Sequence, residues 1–331
     1  MVCLRNRYLP PKQERFTMRE AAVFFACYLL LLLPVHLPAA TFEVIQQEDG
    51  VTVNYDGKLV TRYLTKSGNK PILWPVVGPG GQELTRGYPM REATSDERSD
   101  HIHHRSMWFT HGDVNGVSFW HEGAGSGEIV HREFVQVEGG QTAVITTRND
   151  WVAPGGKRLC WDERTFTFGV DGSNRWIDMD VTVTAADEPV TFGDTKEGSG
   201  GVRVAGTMKV TAKLGGRIVN SQGQTDDQAW GKPAAWCDYH GPVDGQVVGI
   251  AIMNHPRSFR FPTHWHVRTY GLFTANPFGI GDFGQGPKGS GNLVLQPGES
   301  FTVNYRFYMH DGDEKQGRVA EAFAKYSETE K

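Results

Sequence analysis

The chain has 331 residues, and its 34 lysines and arginines nearly balance 38 acidic residues, for a net charge of −4. The basic residues are scattered, so the sequence lacks the basic field that nucleic-acid binders present, and nucleic acid is not an expected partner. The length allows one large domain or two ordinary ones, with ample chain for a sizeable core.

Near the N-terminus, residues 21–33 form an uninterrupted apolar run, led by charged residues, ended by Pro34 and followed by the small residues Ala39 and Ala40. Such a run rises ~20 Å as a helix, short of the ~30 Å hydrocarbon core of a bilayer. The pattern predicts a signal peptide over residues 1–40, cleavage near Thr41, and a secreted or periplasmic protein with no stable membrane anchor. Pro38 departs from the usual cleavage pattern, and a start at Met18 would give the signal a lead of ordinary length. Cys3 and Cys27 would leave with this segment. The remaining Cys160 and Cys237 are too far apart in sequence for a metal motif and are expected as buried thiols.

From Thr41 onward the dominant period is two. Segments such as "VTVNY", "TAVITTRNDW", "RTFTFGVDG", "WIDMDVTVTAAD" and "FTVNYRFYMH" alternate β-branched or aromatic residues with polar ones, as half-buried strands do. Asp49-Gly50, Asp56-Gly57, Gly139-Gly140, Asp171-Gly172 and Gly215-Gly216 mark turns between them. Residues 314–328 place Val319, Phe323 and Tyr326 at helical intervals and form the one clear helix after the apolar run. No strand–helix–strand alternation occurs, which disfavours a doubly wound sheet. The expected fold is all-β: residues 41–331 form one large antiparallel β-sandwich, supersandwich-like, with long loops and a C-terminal helix.

Chemistry-bearing residues gather in a few blocks. The first, "DHIHHRSMWFTHGDVNGVSFWHE" over residues 100–122, holds five of the 12 histidines. Read as extended chain, it sets His101, His103 and Arg105 on one side and Ile102 and His104 on the other. "HWHVR" likewise sets His264, His266 and Arg268 against Trp265 and Val267. Imidazoles with a carboxylate serve as acid and base near neutral pH, and arginine holds an anionic or polarised oxygen. The same histidines could bind a divalent transition metal, or simply satisfy buried hydrogen bonds. In "GDTKEG", Glu197 follows Lys196 among glycines that let a ligand approach the backbone, as a general base requires, although a solvated turn reads the same way. Trp108, Phe109, Trp120, Trp265 and Tyr270 flank these groups and suit either a sugar site or a sandwich core.

Together these blocks resemble an uncharacterised exported family labelled methane oxygenase PmoA, over nearly all of residues 41–331. The matching positions of the first block are Asp100, His101, His103, His104, Arg105, His111, Asp113 and Asn115. Lys196 and Glu197 follow, then Asp238 and Tyr239, and then His255, Pro256, Trp265, His266, Arg268 and Tyr270. His264 falls outside the pattern, which weakens a metal site built on the second histidine pair. The resemblance implies an exported bacterial β-sandwich linked to carbohydrate breakdown. Its layout also resembles the large sandwiches of the galactose-mutarotase class, in which histidines and a glutamate act on a sugar ring.

Three functions are expected in order. The first is a carbohydrate-active enzyme, an epimerase, lyase or hydrolase, acting on a small sugar or oligosaccharide. In it His103, His104, Glu197 and His266 exchange protons, Arg105 and Arg268 hold oxygens, Trp108 and Trp265 shape the pocket, and His101, His111, Asp113, Asn115, Lys196, Asp238, His255 and Tyr270 bind the substrate. The second is a glycan-binding module without catalysis. The third is a metal enzyme using His103, His111 and either His255 or His266. No cofactor and no tightly held structural zinc are expected, and a divalent metal stays possible only in the third reading. The first reading requires His103, His104, Glu197, His266 and Arg268 to line one cleft on the concave side of the sandwich.

Overall fold

Alternation along each strand sends every second side chain into a shared interior, and this pairs two broad sheets face to face. The computed structural model describes residues 40–331 together with positions 2, 9, 11 and 12. The apolar run lies outside the described residues. No helix among the described residues is long and apolar enough to cross a membrane.

In chain order the strands begin with β1 (Phe42–Gln47), β2 (Gly50–Tyr55), β3 (Lys58–Ser67), β4 (Lys70–Val76) and β5 (Met107–His111). They continue with β6 (Glu128–Glu138), β7 (Ala143–Val152), β8 (Arg158–Asp171), β9 (Asn174–Ala185), β10 (Val190–Phe192) and β11 (Gly198–Arg203). The remainder are β12 (Arg217–Asn220), β13 (Trp236–Val243), β14 (Gln246–Asn254), β15 (His264–Val267), β16 (Leu272–Asn276), β17 (Leu293–Leu295) and β18 (Ser300–Asp311). One sheet runs β1-β2-β3-β4-β5-β11-β16-β15, the other β12-β13-β14-β18-β9-β8-β7-β6, and β10 pairs with β17 apart from both. The fold is therefore a mostly-β antiparallel sandwich, as the periodicity predicts.

β9 shows how the sequence builds the core. Ile177, Met179, Val181 and Val183 point inward at period two and are fully buried, facing Phe109, Trp265 and Phe273 of the other sheet within one continuous cluster. Burying a side chain of this size contributes about 1.5–3 kcal/mol, so the alternation itself stabilises the pairing of the sheets. The Asp56-Gly57 turn closes β2 onto β3 with both central residues at positive φ, the two-residue hairpin geometry that suits this dipeptide. Cys160 and Cys237 are both buried and free. Strands β14, β18 and β9 intervene between Cys237 on β13 and Cys160 on β8. At ~4.8 Å per strand that separation is far beyond disulfide reach.

The C-terminal helix is shorter than its sequence pattern, spanning Val319–Ser327, because Arg318 at its N-cap adopts a positive φ of 54° and breaks the run. Val319, Ala322 and Tyr326 pack on Ala251, Met253 and Tyr308, covering the outer face of the β13-β14-β18 region.

Candidate functional site

The strand registers assemble the site on the outer face of the first sheet. Ile72 pairs with Trp108, Trp108 with Gly201, Gly201 with Thr274, and Thr274 with His266, which sets these residues in one row across β4, β5, β11, β16 and β15. Alternation then turns Met107, Phe109, Trp265 and Val267 into the core and leaves Trp108 and His266 outside. Gly201 is needed at the centre, since a Cβ there would lie 2.3 Å from the Phe273 carbonyl oxygen. Trp120 closes over Trp108 in a separate apolar cluster, with Ile72 and Leu272. Its loop is fixed by the Thr110 hydroxyl, which donates to the Phe119 carbonyl.

Residues 101–106 reach this face as a turn. The His104 amide donates to the His101 carbonyl, and His101 and Ser106 both have positive φ, so the extended reading of the first block is corrected: β5 begins only at Met107. Buried Arg86 holds the turn, donating to the carbonyls of Asp100, His101 and His104 and to the Asp100 carboxylate. The turn stacks its rings instead of alternating them. Tyr270, His101, His104 and Trp108 form a near-parallel column with successive centroids 5.5, 4.9 and 5.6 Å apart. His103 packs edge-on against His104 at 4.5 Å and near Trp120 at 6.1 Å.

Two histidines on this face are fixed in opposite tautomers. Arg203 can only donate, so its guanidinium at 3.0 Å makes Nδ1 of His104 an acceptor and places the ring proton on Nε2. The Lys196 carbonyl, 2.7 Å from Nδ1 of His266, can only accept, so the proton of His266 sits on Nδ1 and Nε2 keeps its lone pair. Neither Nε2 has a protein partner among the described residues. Trp120 spans the two, with centroids 5.4 Å from His104 and 6.4 Å from His266. Burial drives His103 and His266 each down to about 3 and His104 well below its ordinary value, with neighbouring positive charge adding to the shifts. All three are neutral at pH 7.

Glu197 follows Lys196 directly, so its backbone stands beside His266. A Cβ on Gly112 would lie 2.5 Å from the Glu197 Cβ, so glycine there makes room for it. The Glu197 carboxylate is only loosely held, 3.6 Å from the Lys196 ammonium. It is also close enough to help raise the Tyr270 phenol, which burial pushes up first. Arg268 lies over Trp230 at 5.6 Å and Tyr270 at 5.7 Å. His103, His104, Glu197, His266 and Arg268 are thus linked through shared neighbours on one face. A separate surface groove of about 470 Å³ lies away from them, along residues 46–48 and 128–134.

A model for a family of unknown function, DUF6807, matches residues 50–324. The chain belongs to that family. No curated protein matches it. Among solved structures, a polysaccharide lyase is similar over 86% of this chain and 34% of its own, at 12% identity and a TM-score of 0.34. The GH36 alpha-galactosidase AgaA from Geobacillus stearothermophilus is similar over 82% of this chain and 40% of its own, at 10% identity and a TM-score of 0.39. A galactose mutarotase related enzyme from Lactobacillus acidophilus is similar over 81% of this chain and 97% of its own, at 10% identity and a TM-score of 0.29. The chain spans less than half the length of the lyase and the galactosidase.

Several residues singled out in this DUF6807 sequence sit elsewhere. Trp265 points into the core, donating its indole N–H to the Ala234 carbonyl, and shapes no outer pocket. Trp108 is buried beneath His104 and Trp120, so it is a floor and offers no free face. Arg105 is taken up by Glu122, donating to both carboxylate oxygens at 2.7 and 2.8 Å, and Glu122 also pairs with buried Lys70. Asp113 accepts the Gly116 amide, and Asn115 bonds the backbone at Thr191 and Pro189, so both build a turn. His111 points inward between Phe192 and Phe278, and His255 packs on Tyr326 by the C-terminal helix. The metal set of His103, His111 and His255 or His266 is therefore not assembled. Sequence reading missed Arg86, Arg203 and Trp230, whose roles come from register and loop closure.

Asp238 lies on the second sheet. Its two oxygens accept from His240 Nδ1 at 2.7 Å and His310 Nε2 at 2.8 Å, and Glu314 approaches His240 at 3.9 Å. Asp238, His240 and Glu314 also have ligand atoms within 4.8 Å of one another, but both Asp238 oxygens are already occupied by imidazole donors. Burial opposes every charge here. Even so, His310 and His240 hold Asp238 below the usual carboxylate range, and Asp238 holds both histidines above theirs. Replacing Asp238 with Ala leaves two buried imidazole donors without their shared acceptor and is expected to cost about 1–3 kcal/mol for each. Denaturant unfolding measures this, and an unchanged midpoint would show that the cluster does not hold the fold.

Proposed function

We propose that this face is the active site of a carbohydrate-active enzyme that moves protons on a sugar by epimerisation, elimination or hydrolysis. The observation that carries the reading is the pair of neutral histidines fixed in opposite tautomers. His266 offers a bare Nε2 that can accept a proton, and His104 offers a neutral Nε2–H that can hydrogen-bond and polarise a sugar oxygen. Both rings stay neutral at pH 7, so His104 polarises an oxygen without carrying a charge and the Nε2 lone pair of His266 is open before the substrate arrives. Glu197 is a second base beside His266, and half-buried His103 packs against His104 at the edge of the site. Trp230 and Tyr270 are only partly buried, and aromatic rings at the rim of such a face suit the C–H surface of a sugar. The ordered sequence blocks resembling the exported PmoA-labelled family support export to the periplasm or beyond, and a carbohydrate ligand.

The test is turnover of a panel of pyranosides and short oligosaccharides, followed by proton NMR in deuterated buffer, which registers anomer change, elimination and solvent exchange alike. His266→Ala is expected to lose ~10²-fold or more in rate. Equal rates for wild type and His266→Ala on every active sugar would refute the assignment.

A further inference from the structure

Four arginines reach the face that carries His266, and three are already paired. Arg86 donates to Asp100 and the carbonyls of the histidine turn, Arg105 to both oxygens of Glu122, and Arg203 to His104 Nδ1 with Asp100 3.5 Å away. Arg268 differs from them. It is half-buried, its guanidinium lies over the rings of Trp230 and Tyr270, and no acceptor among the described residues takes its side-chain N–H groups.

The same chain contains the completed version of this device. Arg306 lies over Trp176 at 4.1 Å and Tyr326 at 4.5 Å, and its fork donates to both oxygens of Asp178 at 2.6 and 3.0 Å. Aromatic faces orient a guanidinium while leaving its N–H edges free, and that edge matches a carboxylate through two parallel hydrogen bonds. Arg268 has the rings and lacks the carboxylate. It stands two residues beyond His266 on the same outer face, and its charge helps to lower that histidine, after burial.

We infer that the missing carboxylate belongs to the substrate, and that Arg268 selects a uronic acid over the corresponding neutral sugar. This rests on reading the face as a sugar site. The test is NMR titration of the protein with galacturonate, glucuronate, galactose, glucose and galactose 6-sulfate. Each uronate is expected to bind about ten- to a hundredfold tighter than its neutral counterpart, the usual worth of hydrogen bonds to a charged group. Arg268→Gln erases that preference, bringing each uronate and its neutral counterpart to the same affinity. Arg268→Lys, with the charge but not the fork, restores only part of it. Equal binding of uronate and neutral sugar, a preference that survives in Arg268→Gln, or tighter binding of the sulfate ester overturns the carboxylate assignment and leaves the acid–base reading standing. Failure of all five to bind overturns both.

Discussion

Replacing Glu197 with glutamine is expected to lower turnover of the proposed sugar substrate by ~10²-fold or more, with folding and sugar binding retained. The substitution keeps the shape of the side chain and removes only its ability to accept a proton. Little structural support is lost with the charge, since the nearest cation, the Lys196 ammonium, is 3.6 Å away and also 3.6 Å from Asp282. His266 keeps its tautomer, because its partner is the Lys196 backbone carbonyl and not the Glu197 side chain. The loss therefore falls on kcat, with KM nearly unchanged, and steady-state kinetics with thermal melts separate the two. A Glu197→Gln enzyme with unchanged kcat would remove Glu197 from the chemistry and leave the histidine pair to carry it.

Stability is expected to peak near pH 6–7 and fall steeply toward acid. His103 and His266, each at about 3, and His111, at about 4, are held down by burial first, and His104 is lowered for the same reason. Each is neutral in the fold but takes a proton in the unfolded chain below about pH 6.5. A depressed histidine thus supplies stability above its unfolded value that is lost as pH falls toward its folded one. A fully buried, depressed histidine contributes a slope of up to about 1.4 kcal/mol per pH unit below its unfolded value, so the four together remove several kcal/mol between pH 6.5 and 5, partly exposed His103 the least. That is comparable to the whole stability of many domains. His240 and His310 act in the opposite sense, because Asp238 raises them against their burial. Their contribution is complete below about pH 6.5 and is lost as pH rises through their folded values. Urea unfolding across pH 4.5–8.5 checks both limbs, and a flat profile between pH 7 and 5 would show that the four depressed histidines charge freely in the fold.

The sandwich was readable because a strand with one buried face must alternate, and β9 and β18 do so over most of their lengths. The same rule set His266 and Trp265 on opposite faces, yet Trp265 was expected to shape the pocket and instead lies in the core. The rule failed over residues 101–106. There Arg86, from a distant part of the chain, gathers the carbonyls of residues 100, 101 and 104, and no local pattern announces that. Arg203 and Trp230 were invisible for a related reason. Arg203 ends a glycine-rich strand, and its meeting with His104 follows from the β5–β11 register. Asp238 looked like a ligand-binding carboxylate because its partner His310 lies 72 residues away on β18. Residue types identified the blocks, but register decided which of their members share a face.

Imidazole nitrogen NMR on histidine-labelled protein tests most directly whether His104 and His266 form a neutral donor–acceptor pair facing the substrate. At pH 7 and again at pH 5.5, His266 is predicted to carry its proton on Nδ1 and His104 on Nε2, with neither ring charged. Saturating galacturonate or galactose is predicted to shift the Nε2 resonance of both. Two histidines that interchange tautomers, charge between pH 7 and 5.5, and ignore every sugar would contradict the assignment of this face as the active site.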